Sequence, residues 1–174
     1  MLTWPNDALP PVLMAAPDSP ALDLGRLIGA LERHGVKYLL CGGSAATAYG
    51  AERPTEDADC VVSREQANLD RLAEAMRDLN ARLRVAGMTD EEAIMLPVQI
   101  DGATLADLSI STWMTDAGPF DVLAGLETPD GHLVPYEELV ERASVLRGQG
   151  FDIHAAGLDD IIRAKERADR PQRS

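Results

Sequence analysis

Two carboxylates, Asp57 and Asp59, flank a single alanine at the opening of the apolar run Cys60-Val61-Val62. In an extended strand, residues i and i+2 project from the same face, so this spacing aims both side chains into one small volume. At a separation of about 4 Å and an effective dielectric near 20, two such charges repel by about 4 kcal/mol. A bound divalent cation turns that repulsion into attraction. Upstream, Gly42, Gly43 and Ser44 lie between the apolar run Tyr38-Leu39-Leu40-Cys41 and the helix-favouring run from Ser44 to Tyr49. That order predicts a strand, a glycine turn and a helix whose free N–H groups, with the Ser44 hydroxyl, can hold a phosphate. A phosphate cradle beside a metal-binding carboxylate pair is equipment for nucleotidyl transfer.

Two-metal chemistry of that kind needs a third carboxylate on a neighbouring strand. Asp121 in Pro119-Phe120-Asp121-Val122-Leu123 meets the need, because a lone charge inside an apolar strand requires a partner. The plainer alternatives are a solvated turn for Asp57 and Asp59, an outward-facing strand position for Asp121, and an N-cap role for Ser44. The last is compatible with a phosphate contact. His34, His132 and His154 have no metal-ligand spacing and read as surface or structural residues.

The stretch Cys41-Gly-Gly-Ser-Ala-Ala-Thr-Ala-Tyr-Gly followed by Arg53-Pro-Thr55-Glu-Asp57-Ala-Asp59 resembles the signature of the DNA polymerase beta-like nucleotidyltransferase superfamily. The closing stretch, Leu158-Asp-Asp-Ile-Ile-Arg-Ala-Lys165-Glu-Arg-Ala-Asp-Arg170-Pro171, is similar to the last helix of minimal bacterial members, the AbiEii-like and MenT-like toxins. The resemblance runs from about residue 24 to residue 171. It implies Mg²⁺ (with Mn²⁺ as the alternative ion) on Asp57, Asp59 and Asp121, and an NTP contacted by Gly42, Gly43, Ser44, Arg53, Thr55 and Lys165. It further implies transfer of an NMP to an acceptor hydroxyl, with the tRNA 3′ end as acceptor and a cognate antitoxin as partner if the chain is a toxin. Nucleotidylation of a small molecule or a partner protein, and a non-catalytic nucleotide-binding module, are the alternatives.

Lys165 stands out on composition as well. The chain has fourteen Arg and two Lys, so it uses Arg wherever any cation suffices. A compact ammonium suits a phosphate held in a confined pocket, and in the resembling proteins the corresponding Lys faces the triphosphate. The alternative is a solvated helix Lys. Those relatives usually carry an Asp eight residues further on, where this chain has Arg173. That departure bears on acceptor choice and catalytic strength, not on the metal site.

The formal charge is −13, which repels polyanions and disfavours broad nucleic-acid binding. The charge is uneven. Residues 140–174 hold seven Arg or Lys against six Asp or Glu, while residues 1–139 hold nine against twenty-three. The C-terminal segment is therefore the expected electrostatic partner of an anionic ligand. No apolar run approaches 18 residues and no basic region precedes an apolar stretch at the N-terminus, which argues against a membrane span or secretory signal. Cys41 and Cys60 read as small buried hydrophobes in a reducing, cytoplasmic protein.

These residues must be positioned by a scaffold. Five prolines within residues 1–20 predict an extended arm, followed by one domain over residues 21–174. Ser19 and Pro20 read as N-cap and N1 of a first helix bearing Leu24, Leu27, Ile28 and Leu31, stopped by Gly35. Strands are predicted at 37–41 and 57–62, with a helix from Ser44 to Gly50 between them. Ser63 with Gln66 reads as a capping box opening a helix that buries Leu69, Leu72, Ala73, Met76 and Leu79. A short strand over 81–85, a capping box at Thr89 and Glu92, and a helical turn over 103–107 follow. Strands at 108–113 and 120–123 join through Asp116-Ala-Gly. A helix over 135–142, a hairpin of 145–147 and 151–154 around Gly148-Gln-Gly150, and a final helix over 158–167 complete the order. The sum is an α/β (α+β) fold, a mixed β-sheet covered by helices, in keeping with the polymerase beta-like nucleotidyltransferase fold.

Overall fold

A computed structural model of the chain describes residues 21–52, 55–147 and 150–169, with the side chain of Asp90 excepted. The proline-rich arm predicted for residues 1–20, Ser19 and Pro20 within it, Arg53, the Gly148-Gln149 part of the hairpin turn, Arg170 and Arg173 lie outside the described residues.

Seven strands form one mixed sheet. In chain order they are β1 (Tyr38–Cys41), β2 (Ala58–Val62), β3 (Arg82–Leu83), β4 (Ile110–Thr115), β5 (Gly118–Leu123), β8 (Ser144–Arg147) and β9 (Asp152–Ala155). Across the sheet the order is β3-β4-β5-β2-β1-β9-β8. β2 runs antiparallel to β1 and parallel to β5, which puts it between the two strands that flank the predicted site. Its residues Ala58, Cys60, Val61 and Val62 are all fully buried, as expected of a central strand covered on both faces. A separate two-stranded sheet pairs β6 (Gly125–Glu127) with β7 (Leu133–Pro135). Neither strand is anticipated from sequence, since three residues are too few to show a period.

Helices α1 (Leu24–Arg33), α3 (Gln66–Asp78) and α5 (Gly102–Ala106) pack in series, α1 on α3 and α3 on α5. α2 (Gly42–Ala48) packs instead on the final helix α7 (Leu158–Asp169). The predicted stripe of α3 is buried in full: Leu69, Leu72, Ala73, Met76 and Leu79 join Leu27, Ile28, Leu31, Trp113 and Phe120 in one core. Among the described residues no helix is long and apolar enough to cross a membrane.

Several local expectations are corrected. The N-cap of α1 is Asp23, whose Oδ1 accepts the Arg26 N–H at 3.0 Å. α3 has Glu65 as N-cap and no capping box, because the buried Ser63 hydroxyl donates to Glu137 Oε1 at 3.1 Å. Asn68 stabilises that helix start instead, donating to the Ser63 carbonyl at 2.9 Å and accepting the Lys37 N–H at 2.7 Å. The Thr89–Glu92 capping box does form, with both reciprocal bonds present at the start of α4 (Asp90–Ile94). The helix predicted over 135–142 is α6 (Tyr136–Leu139) tightening into a 3₁₀ turn, Val140–Arg142.

Candidate active site

The register of three strands assembles the site. Asp59 on β2 lies opposite Cys41 on β1 and opposite Asp121 on β5, and Asp121 lies opposite Thr112 on β4. Cross-strand partners share a face, so Cys41, Asp59, Asp121 and Thr112 form one crosswise row. Asp57 precedes β2 by one residue and joins Asp59 on the same face. Each of Asp57, Asp59 and Asp121 offers a carboxylate oxygen, and these atoms lie within 4.8 Å of one another. Asp57 is exposed, while Asp59 and Asp121 are half-buried.

Three like charges this close perturb one another. Burial, then the adjacent Asp121 carboxyl and the charge of Asp57, push Asp59 up from 3.8 to about 8. Asp57 is raised as well, by burial and then by Asp121, with Arg84 acting in the opposite sense. The Cys41 thiol is held neutral by burial first and by Asp59 second, so it offers no thiolate. Cys41 and Cys60 are both free and buried, as the sequence suggests. Asp121 Oδ1 is buried without a hydrogen-bond partner among the described residues. A carboxylate with an orphaned oxygen, grouped with two further carboxylates, is a set of hard oxygen donors, and it fits Mg²⁺ or a similar hard divalent cation.

The glycine turn is built against this cluster. Gly42 has φ +61°, and a Cβ there would collide with Asp59 Oδ2. Only glycine satisfies both demands. α2 begins at Gly42 itself, two residues earlier than predicted, with Cys41 as N-cap and no side-chain cap bond. Ser44 is buried, donates to the Cys41 carbonyl at 3.0 Å and accepts the Asp59 N–H at 3.4 Å. Its hydroxyl thus ties α2 to both strands. Gly43 faces Thr55, whose Oγ1 would lie 3.5 Å from an added Cβ. The Thr55 hydroxyl donates to the Asp57 carbonyl at 2.8 Å and shapes the approach to the carboxylates.

Lys165 is exposed on α7 and makes no hydrogen bond or ion pair among the described residues. Its helix packs on α2, whose first residues border the cluster. Two of the C-terminal cations are paired with carboxylates. Arg142 makes two bonds to the buried Asp160, at 2.9 and 3.1 Å, and Arg167 pairs with Glu127 at 3.0 Å. Arg142 is thus held against a buried carboxylate and Arg167 against an exposed one.

Two residues near the carboxylates escape a reading by motif: Thr112 and Arg84. The Arg84 N–H donates to the Thr112 carbonyl at 2.8 Å, extending the crosswise row to the sheet edge. Thr112 aligns with Asp121 only because the hairpin loop is Asp116-Ala117, which pairs Thr115 with Gly118; no signal in the sequence points to Arg84.

No family model and no curated protein matches the chain. Among solved structures, it is similar to a protein described as a "putative nucleotidyltransferase" from Thermotoga maritima, with a TM-score of 0.52 and 12% identity. The match covers 82% of this chain and 80% of that one. At this identity the likeness concerns architecture, and with the seven-stranded mixed sheet it establishes that the chain has a nucleotidyltransferase-like fold.

Proposed function

We propose that this chain is a divalent-metal-dependent nucleotidyltransferase that moves an NMP from an NTP to an acceptor hydroxyl. The observation that carries the reading is the convergence of Asp57, Asp59 and Asp121 to within 4.8 Å beside the Gly42 turn. These three residues would hold Mg²⁺ or Mn²⁺, which when bound supplies charge neutralisation for the triphosphate and activation of the acceptor hydroxyl. The backbone at Gly42 and Gly43 receives the phosphates, Thr55 borders their entry, and Lys165 reaches the triphosphate from α7, with Arg53 a further contact on the strength of the sequence resemblance. In the reaction the acceptor oxygen bonds to the α-phosphorus, the bond to the β-phosphate oxygen breaks and pyrophosphate leaves. The Asp121 carboxylate takes the hydroxyl proton.

A small molecule or a partner protein is the acceptor class we favour over tRNA. The charge of −13 opposes a polyanion, and Arg142 and Arg167 are engaged with Asp160 and Glu127. The toxin reading, with a tRNA acceptor and an antitoxin, rests on the sequence resemblance alone. Purified protein incubated with each labelled NTP, Mg²⁺ and cell extract tests all three classes. Label on a small molecule or protein supports the favoured acceptor, and label on RNA the toxin reading. Retention of unreacted NTP on the protein, with no label transferred, leaves a nucleotide-binding module.

A further inference from the structure

An open cavity of about 400 Å³ lies at the edge of the sheet, lined by Arg84 to Met88 together with Ala93 and Thr112. Its floor is part of the crosswise row, since Thr112 is the register partner of Asp121 and Arg84 bonds to Thr112. With strands about 4.8 Å apart, Arg84 starts two strands from Asp121, within reach of an arginine side chain directed along the row. Val85 and Met88 give the cavity exposed apolar walls. The Arg84 side chain makes no hydrogen bond or ion pair among the described residues, although the chain is strongly acidic.

Its position relative to the carboxylates gives the cavity a role. The Gly42 turn lies on the β1 side of Asp59, and the cavity lies on the β4 side of Asp121. In-line phosphoryl displacement puts the attacking and leaving oxygens on opposite sides of the phosphorus. With the departing pyrophosphate at the Gly42 turn, the attacking hydroxyl comes from the cavity. A volume near the lower end of ligand pockets admits a compact molecule and not a nucleic-acid helix. An arginine fork in that space selects a carboxylate or phosphate.

We propose that this cavity is the acceptor subsite, and that it takes a compact hydroxyl compound whose anionic group is held by Arg84 while the hydroxyl faces Asp121. The acceptor role rests on the transferase reading above; the anion subsite does not. The full chain, labelled with ¹³C at its methionine methyls, is titrated in Mg²⁺ without NTP. The probes are glycerol 3-phosphate, glycerate and uncharged glycerol, with Met88→Leu to assign the reporter. Both anions should shift the Met88 methyl, glycerol should not, and Arg84→Gln should weaken binding at least tenfold, with Arg84→Lys between the two. A Met88 methyl silent to both anions, or equal affinity in Arg84→Gln, overturns the subsite. Anion binding at Met88 in a protein that transfers no label would keep the subsite and sink the transferase reading. Label transfer with a silent Met88 would do the reverse.

Discussion

Asp59 Oδ2 occupies the space that a side chain at Gly42 would need, so the metal-ligand candidate and the glycine turn are a single interlocked feature. Gly42→Ala should therefore do two things at once. The φ of +61° costs a non-glycine residue about 1–3 kcal/mol, and the new methyl displaces the Asp59 carboxylate. Denaturant unfolding should show the first effect and a reduced Mg²⁺-dependent stabilisation the second. Unchanged stability together with unchanged metal response would separate the turn from the cluster.

Convergent carboxylates make the protein respond to metal through linkage, because the ion binds the folded state and not the unfolded one. At a hundredfold excess over Kd the stabilisation is about 2.7 kcal/mol. Mg²⁺ or Mn²⁺ should raise the Tm of the wild type, and Asp59→Asn should abolish the rise while remaining folded. Equal shifts in calorimetry for both proteins would place the ion elsewhere.

The same cluster predicts how metal-free stability depends on pH. Asp59 has a folded-state pKa raised from 3.8 to about 8, so the folded state holds the proton more tightly than the unfolded one. This contribution to stability is fully present below pH 3.8 and is lost as pH rises through about 8. Tm measured without metal should fall across that window, and the fall should be smaller in Asp59→Asn. Parallel pH profiles for the two proteins would assign the titration to other groups.

Lys165 has an exposed ammonium on the helix that packs against α2, and no partner among the described residues. Lys165→Ala should slow transfer by about 10²–10³-fold, in the range found for one preorganised transition-state donor, with the circular dichroism spectrum unchanged. An assay with saturating NTP reads the effect. Wild-type turnover and NTP affinity in the variant would return Lys165 to the solvated surface.

Arg142 and Asp160 separate structural from functional cations. Asp160 is buried, and among the described residues its carboxylate forms an ion pair with Arg142 alone. Arg142→Gln should lower the Tm without altering NTP binding, because it leaves a buried carboxylate with a weaker partner. Arg163→Gln, at an exposed position on α7, should not change the Tm. Equal thermal effects of the two substitutions would show that the Arg142–Asp160 contact is not structural.

Much of the site was legible in the chain itself. The alternation rule puts Asp57 and Asp59 on one face from their spacing alone, and a charge within Phe120-Asp121-Val122 demands a partner wherever the strand lies. The buried stripe of α3 and the capping box at Thr89 follow from local periods and hydrogen bonds, so they needed no knowledge of neighbours. What depended on the tertiary structure is contact between segments distant in sequence. The Ser63 hydroxyl donates to Glu137 and accepts the N-cap Glu65 N–H in place of a capping-box bond to Gln66, Ser44 bonds to Asp59, and Arg142 is spent on Asp160. In each case a polar group chose among several partners of similar local merit, and burial decided which one was close enough to satisfy it. The identity of the Asp121 neighbour, and the extension of the row to Thr112 and Arg84, likewise required strand order and register. Those are set by the packing of the whole sheet, which no single segment encodes.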